Sequence, residues 1–393
     1  MVKLDPYNHK ERYLKWKAIA KNGIEDLSPN NYQTLIKYLS DMENGLNVAF
    51  LMKKGPRSYT RLYTLRIRIH FLMKLFQDKL KVIDMTNVTE EQLHDLFNQL
   101  RTGVIRKSDG TLYVSAKDYA RDFKAFWHWH QKVSKRNGIE VEDITQYIDT
   151  TGEKPKWVYL TEEQVKMLAD KAKFEYKVLI WFLFDTGVRA PTELMNIRVA
   201  DLHNDYKELN IRQETSKTFG RRIKLMLSSN LIKEFIQIKR LNFDDYLFQI
   251  TPNVTNRYLK RLALRVLGDK ESPARQRYCD LTMYDFRHCA SCYWLPRYKS
   301  ESALKYRFGW KDSDRIHYYS ELLGMKDTIG EEDMLLETQK TEIEKELIST
   351  KRENEIMQER QKITDIQLAQ IMQLVNDLSK EIQSQKQELY NEQ

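Results

Sequence analysis

Apolar residues recur at helical spacing through the first 145 positions. Tyr13–Ala20 and Tyr32–Met42 place apolar side chains three or four residues apart, the spacing that lines one face of an α-helix. Ser58 stands at an N-cap position ahead of a stripe of Tyr63, Leu65, Ile67, Phe71, Leu72, Leu75 and Phe76. Thr89 and Gln92 form a capping box in front of Leu93, Leu96, Phe97 and Leu100. After a turn at Lys107-Ser-Asp-Gly110, Ser115 precedes a long helix carrying Phe123, Phe126, Trp127, Trp129 and Val133. Aromatic side chains at this spacing are expected in a core rather than stacked on bases.

The pattern then breaks. Thr150-Thr-Gly-Glu-Lys-Pro-Lys156 has turn formers and charge but little to bury, which marks a joint over 146–158. A second capping box, Thr161 with Gln164, opens a new region that contains a very apolar helix over Phe174–Phe184. Glu208–Gln213 and Arg222–Leu227 alternate like two strands around a turn at 214–220, and helices resume from Ser229 to about Leu323. From Glu331 onward Leu347, Leu368, Val375, Ile382 and Leu389 share a seven-residue register. Ile343, Met357, Ile371 and Leu378 fill the second seam, while Asn354, Gln361, Thr364 and Gln385 interrupt it. The expected organisation is a helical domain (1–145), a linker (146–158), a mixed second domain (159–330) and a helical, coiled-coil-like tail (331–393). The expected fold class is mainly α with a small β-hairpin or sheet in a mixed α/β second domain.

Composition narrows the classes. Hydrophobic residues make up 41% of 393 positions, enough for real cores and against wholesale disorder. Three cysteines exclude a disulfide framework and suit a reducing compartment. No apolar run is long enough to span a membrane, and the N-terminal MVKLDPYNHKERY does not read as a signal peptide. A cytoplasmic, nucleoid-associated protein with no membrane partner is expected. The net charge of +9 divides unevenly: residues 1–330 carry +16 and residues 331–393 carry −7. A basic body points to nucleic acid.

Three separated segments carry candidate chemistry. The first is Asp185-Thr-Gly-Val-Arg189-Ala-Pro-Thr-Glu193-Leu, directly after the apolar helix. The second is Leu281-Thr-Met-Tyr284-Asp-Phe-Arg287-His288. The third is Phe308-Gly309-Trp310, followed by Tyr318 and Tyr319. In this order the set resembles the tyrosine recombinase (phage integrase) family, with a flavour close to archaeal or archaeal-virus members. The resemblance covers about 160–323 through its motifs, and the N-terminal part by helical pattern only. It implies a site-specific recombinase or integrase of a mobile element that cuts and rejoins duplex DNA through a covalent 3′-phosphotyrosyl intermediate. It implies neither metal nor ATP nor another cofactor, and a homo-oligomer, a tetramer on two synapsed duplexes.

The residue types suit that chemistry. Arginine presents a fixed, always charged fork that matches phosphate, so Arg189 and Arg287 can clamp one scissile phosphate. Trp310 can add its indole N–H, and together they stabilise the charge of the transition state. By the resemblance Tyr319 is the nucleophile and Lys217, on the turn between the strands, the general acid for the leaving 5′-hydroxyl. Tyr284 stands where the family usually has histidine, three residues before the arginine. Glu193 follows Arg189 by four residues where the family has three, and is expected to orient that arginine. His288 reads either as a buried hydrogen-bonding residue or as an aid to the tyrosine.

Alternatives stay open on several points. Tyr318 is adjacent to Tyr319, and Arg221 and Lys224 lie near Lys217. Cys279, Cys289 and Cys292 read as small core residues or thiol ligands. Lys53, Lys54, Arg57, Arg61, Arg66 and Arg68 form a basic run beside a helix start, either a phosphate-contacting surface or a solvated face. The tail can join protomers, fold back on its own body or compete with DNA for the basic face. Competing functions are a type IB topoisomerase-like nicking-closing enzyme, a DNA-binding regulator on a decayed recombinase fold, and a coiled-coil scaffold.

Overall fold

A computed structural model describes residues 4–48, 55–152, 155–298 and 300–323, with Leu347, Thr350, Met357 and Gln361 as single positions beyond them. Lys53, Lys54 and nearly all of the heptad tail lie outside the described residues.

The first part is five helices: α1 (His9–Ala20), α2 (Pro29–Asn44), α3 (Tyr59–Leu80), α4 (Glu90–Thr102) and α5 (Ala116–Arg136). Their starts follow local chemistry. Ser28 and Ser58 accept from backbone N–H groups three residues on, and Thr89 with Gln92 makes the reciprocal capping box. The core of this part runs from Tyr13 to Ile148. Phe123, Phe126, Trp127 and Trp129 of α5 are buried in it, and the two indole N–H groups are satisfied by Glu142 O and Asp41 Oδ2. Ile67 departs from the expected stripe on α3: it is exposed, while Leu62, Ile69 and Met73 are buried. It follows Leu65 by two residues, about 200° around the helix, and so faces away.

A separate core runs from Trp157 to Tyr319. Its centre is α7 (Phe174–Thr186), packed by α6 (Glu162–Lys171) and α10 (Asp285–Trp294). Between α7 and α10 come a three-stranded antiparallel sheet and two helices, α8 (Ser229–Lys239) and α9 (Pro252–Leu267). After α10 follow α11 (Glu301–Phe308) and α12 (Asp314–Leu323). The molecule is mainly helical with a small sheet, as the sequence leads one to expect. The sheet differs in detail. Strand β1 (Leu202–His203) pairs with β2 (Glu208–Ile211), and β2 pairs with β3 (Arg221–Lys224), Leu209 opposite Ile223. β1 escapes sequence reading because its turn uses Asn204, Asp205 and Tyr206, with φ of 52°, 52° and 63°, and no glycine. β2 ends two residues earlier than expected because Thr215 and Ser216 fold back to donate to Arg212 O.

Among the described residues no helix is long and apolar enough to cross a membrane.

Candidate active site

The site is built around the C-terminal end of α11. The last turn of a helix has carbonyls without intrahelical partners. Here three successive carbonyls each accept from a different arginine. Arg221 Nε donates to Arg307 O at 2.8 Å, Arg287 Nη2 to Phe308 O at 2.6 Å, and Arg189 Nη2 to Gly309 O at 2.8 Å. The helix stops there because Gly309 adopts a left-handed φ of 62°. A Cβ on Gly309 would come within 2.9 Å of Arg221 Nη1 and 3.1 Å of Thr218 Oγ1, so glycine also permits the close approach.

Each arginine is fixed at a second point. Arg287 Nη1 donates to Gly187 O at 2.5 Å, and Gly187 ends α7 with a φ of 57°. Arg189 donates to Glu193 Oε1 at 2.6 Å, while Glu193 Oε2 accepts the Arg189 backbone N–H at 2.9 Å. The four-residue spacing thus lets one carboxylate hold both the backbone and the side chain of Arg189. Glu193 is 1% exposed and also receives Arg221 at 2.9 Å and Ser216 at 3.2 Å. Burial alone would raise its pKa, but the hydrogen bond and charge of Arg221, with the charge of Arg189, pull it down to about 2. Burial, and then the nearby Arg189 charge, lowers Arg287 to about 10.

Lys217 is exposed on the turn between β2 and β3. Its neighbours tie that turn to the site: Ser216 Oγ donates to Glu193, and Thr218 Oγ1 donates to Gly309 O at 2.9 Å. Arg221, a neighbour in sequence, is buried instead, beneath the site.

The aromatic side is set by α12. Tyr319 is buried, its ring stacked on Trp310 at 5.8 Å and 20°, and Trp310 stacks in turn on Phe308 at 4.8 Å. Tyr319 Oη lies 2.6 Å from His288 Nδ1. Burial pushes the Tyr319 phenol above its ordinary value, and the Arg287 charge offsets this only in part. Tyr318 faces elsewhere: its hydroxyl donates to Pro155 O at 3.1 Å and accepts from Trp157 Nε1 at 2.7 Å. Tyr284 is exposed at the start of α10, with its ring 5.3 Å from that of His288.

Sequence reasoning passed over three residues of this neighbourhood. Arg221 was only a neighbour of Lys217, yet it joins Glu193 to α11. Arg307 pairs with fully buried Asp185 at 2.9 Å and ties α11 to α7. Trp157, at the end of the joint, stacks on His288 at 4.7 Å and 27°. Their partners are mostly distant backbone groups and rings, which leave no spacing signal. Cys289 and Cys292 are buried core residues with pKa values raised by burial, and no cluster of metal-ligating side chains occurs among the described residues.

The basic run belongs to the first part of the molecule. Arg61 and Arg68 reach Asp122, which is 2% exposed, and Arg68 also pairs with Asp118 at 3.0 Å. The Arg66 guanidinium lies over the Trp16 ring at 4.8 Å, and Arg57 N donates to Met42 O.

No protein-family model and no curated protein matches the sequence. Solved structures do share the fold. A Tn1549 transposon integrase in complex with transposon right end DNA superposes with a TM-score of 0.52 at 14% identity, covering 80% of this chain and 98% of that one. A lambda integrase dimer bound to a COC′ core site gives 0.55 at 14% identity, covering 80% and 83%. A lambda integrase fragment, also as a dimer on a COC′ core site, gives 0.55 at 12%, covering 76% and 99%. The chain therefore has the fold of these integrases.

Proposed function

We propose that this protein is a site-specific DNA recombinase that cuts and rejoins duplex DNA through a 3′-phosphotyrosyl intermediate. The observation that carries the reading is the convergence of Arg189, Arg287, Trp310, Tyr319 and the Lys217 turn on one helix end, from segments up to 130 residues apart. The integrases that share the fold are bound to DNA, which supports the same partner here.

The residues would act as follows. Arg189 and Arg287 keep unused N–H donors after their carbonyl bonds, since each guanidinium has five. These hold the non-bridging oxygens of the scissile phosphate and stabilise the charge that grows in the transition state. Trp310 adds its indole N–H. Tyr319 Oη attacks phosphorus, and the Lys217 ammonium protonates the departing 5′-oxygen. A 5′-hydroxyl then reverses the step on a new partner strand, so the phosphodiester is conserved. Glu193 keeps Arg189 in place, and Tyr284 and His288 flank the nucleophile. Arg57, Arg61, Arg66 and Arg68, with Lys53 and Lys54 ahead of them in sequence, are the residues proposed to grip DNA. The domains proposed are 1–145 and 159–330 around the joint, with 331–393 joining protomers into a tetramer on two duplexes.

The test uses a randomised duplex pool, nicked so that cleavage traps the protein on the 3′ end. The covalent fraction is recovered under denaturing conditions and sequenced. Wild type and Tyr318→Phe form the adduct, and Tyr319→Phe does not. An adduct with Tyr319→Phe, or none with wild type, overturns the reading.

A further inference from the structure

Tyr319 makes its hydroxyl bond to a group left without a task in the sequence of steps above. His288 Nδ1, on α10, lies 2.6 Å from Tyr319 Oη, on α12. The imidazole is held on several sides: the Trp157 indole stacks on it at 4.7 Å, the Tyr284 ring meets it edge-on at 5.3 Å, and the Tyr319 ring lies at 5.8 Å. With the phenol donating, Nδ1 is the unprotonated nitrogen and Nε2 carries the ring hydrogen.

We propose that His288 is a catalytic residue, the base that takes the Tyr319 proton as the phenol attacks phosphorus. This rests on the reading of Tyr319 as the nucleophile. In the forward step the Oη–P bond forms and the Oη–H proton passes to Nδ1. The P–O5′ bond breaks with its electron pair on the 5′-oxygen, which takes a proton from Lys217. A neutral phenol, a neutral imidazole, an ammonium and the scissile phosphodiester become a phosphotyrosyl diester, an imidazolium, an amine and a 5′-hydroxyl. Rejoining runs the same transfers backwards, with His288 returning its proton to the departing tyrosine oxygen.

Placement on the helix explains why this residue fits the task. Tyr284 and His288 are four apart and share a face at the start of α10. Tyr284 is exposed, and a phenol does not titrate near neutrality. His288 puts an imidazole one turn further in, at the nucleophile. The groups facing it are Arg287 from its own helix, Tyr284 from the helix start, Arg315 and Tyr319 from α12, and Trp157 from the joint. Burial, then the Arg287 and Arg315 charges, hold the imidazole at about 3, so it is a neutral acceptor before DNA arrives. A phosphate seated on Arg189 and Arg287 brings the opposing charge that favours imidazolium as the proton moves.

The full chain is tested on the duplex recovered from the nicked random pool, with single-turnover adduct formation and duplex binding measured together. His288→Asn keeps an amide oxygen close to the Nδ1 position and can accept the tyrosine hydrogen bond, but it cannot take the proton. His288→Asn and His288→Ala are both expected to lose about 100-fold or more in adduct rate, with binding little changed, and added imidazole restores part of the rate of the alanine variant. His288→Asn at the wild-type rate overturns the proposal in favour of a purely positioning ring. A parallel loss of binding and rate in both variants overturns it in favour of a structural one. Absence of adduct in the wild type is a different failure: it removes the phosphotyrosyl reading itself, and this inference with it.

Discussion

The two parts of the molecule use arginine in opposite ways. In the helical first part, Arg61 and Arg68 meet Asp122 and Asp118, two cations against two carboxylates. In the second part, Arg189 and Arg221 share the carboxylate of Glu193 and also donate to backbone carbonyls, while both hydrogen bonds of Arg287 go to backbone carbonyls. A carbonyl oxygen orients a guanidinium without cancelling its charge. A helix C-terminus also favours cations through its dipole. The end of α11 therefore gathers three arginines in fixed positions and leaves the positive charge in place for an incoming anion. In the proposed reading, carboxylate pairing stabilises a helix packing and carbonyl pairing prepares a binding site.

Loss of Arg287 makes the sharpest test of this contrast. Arg287→Ala and Arg189→Ala remove a preset donor from the transition state and are expected to slow adduct formation by about 100- to 1,000-fold, measured in single turnover on saturating duplex. Arg68→Ala instead lowers unfolding stability by about 1–3 kcal/mol, since it strips a partner from buried Asp122, and leaves the rate per bound duplex nearly unchanged. Equal rate losses in the Arg287 and Arg68 variants would erase the distinction between the two regions.

How far the sequence reaches follows the same division. The capping boxes at Thr89 and Thr161 were legible because both partners lie within four residues. The apolar face of α5 was legible from its period. Arg189, Arg287 and Trp310 were legible because they stand in ordered motifs. Arg221, Arg307 and Trp157 were not, because Arg307 O, Asp185 O and the Tyr318 hydroxyl are 86, 122 and 161 residues from them. A backbone carbonyl has no residue identity, so no sequence pattern announces it as an arginine's partner. The preference for Tyr319 over Tyr318 came from family spacing alone; the hydrogen bonds that separate them involve the joint and α10.

Glu193 is where the two modes meet, since it is the carboxylate that bonds both Arg189 and Arg221. Its pKa in the folded protein falls from 4.5 to about 2. A depressed carboxylate contributes stability that is fully present above its unfolded value and is lost as pH falls through the folded one. The contribution is on the order of 3 kcal/mol and disappears between about pH 5 and pH 2. Urea melts across that range should show the decline in wild type and a flatter profile in Glu193→Gln, which begins lower at neutral pH. Superimposable wild-type and Glu193→Gln profiles would mean that this carboxylate is not the arginines' anchor.

The smallest expected effect asks whether the paired arginines of the first part still reach DNA. Each phosphate neutralised by a cation adds about 0.9 to the slope of log affinity against log salt. Removing Arg61 alone would leave the buried Asp122 with one cation fewer and mix two causes. The double variant Arg61→Gln with Asp122→Asn keeps the net charge and leaves Arg68 on Asp118, and Arg68→Gln with Asp118→Asn keeps it too and leaves Asp122 to Arg61. If the aspartates fully engage these arginines, both double variants keep the wild-type slope while Arg189→Gln lowers it. A drop of about 0.9 in either double variant would show a guanidinium that bridges aspartate and phosphate at once. Carboxylate pairing in the first part would then also orient arginines for an anion, and the contrast with α11 would be one of degree.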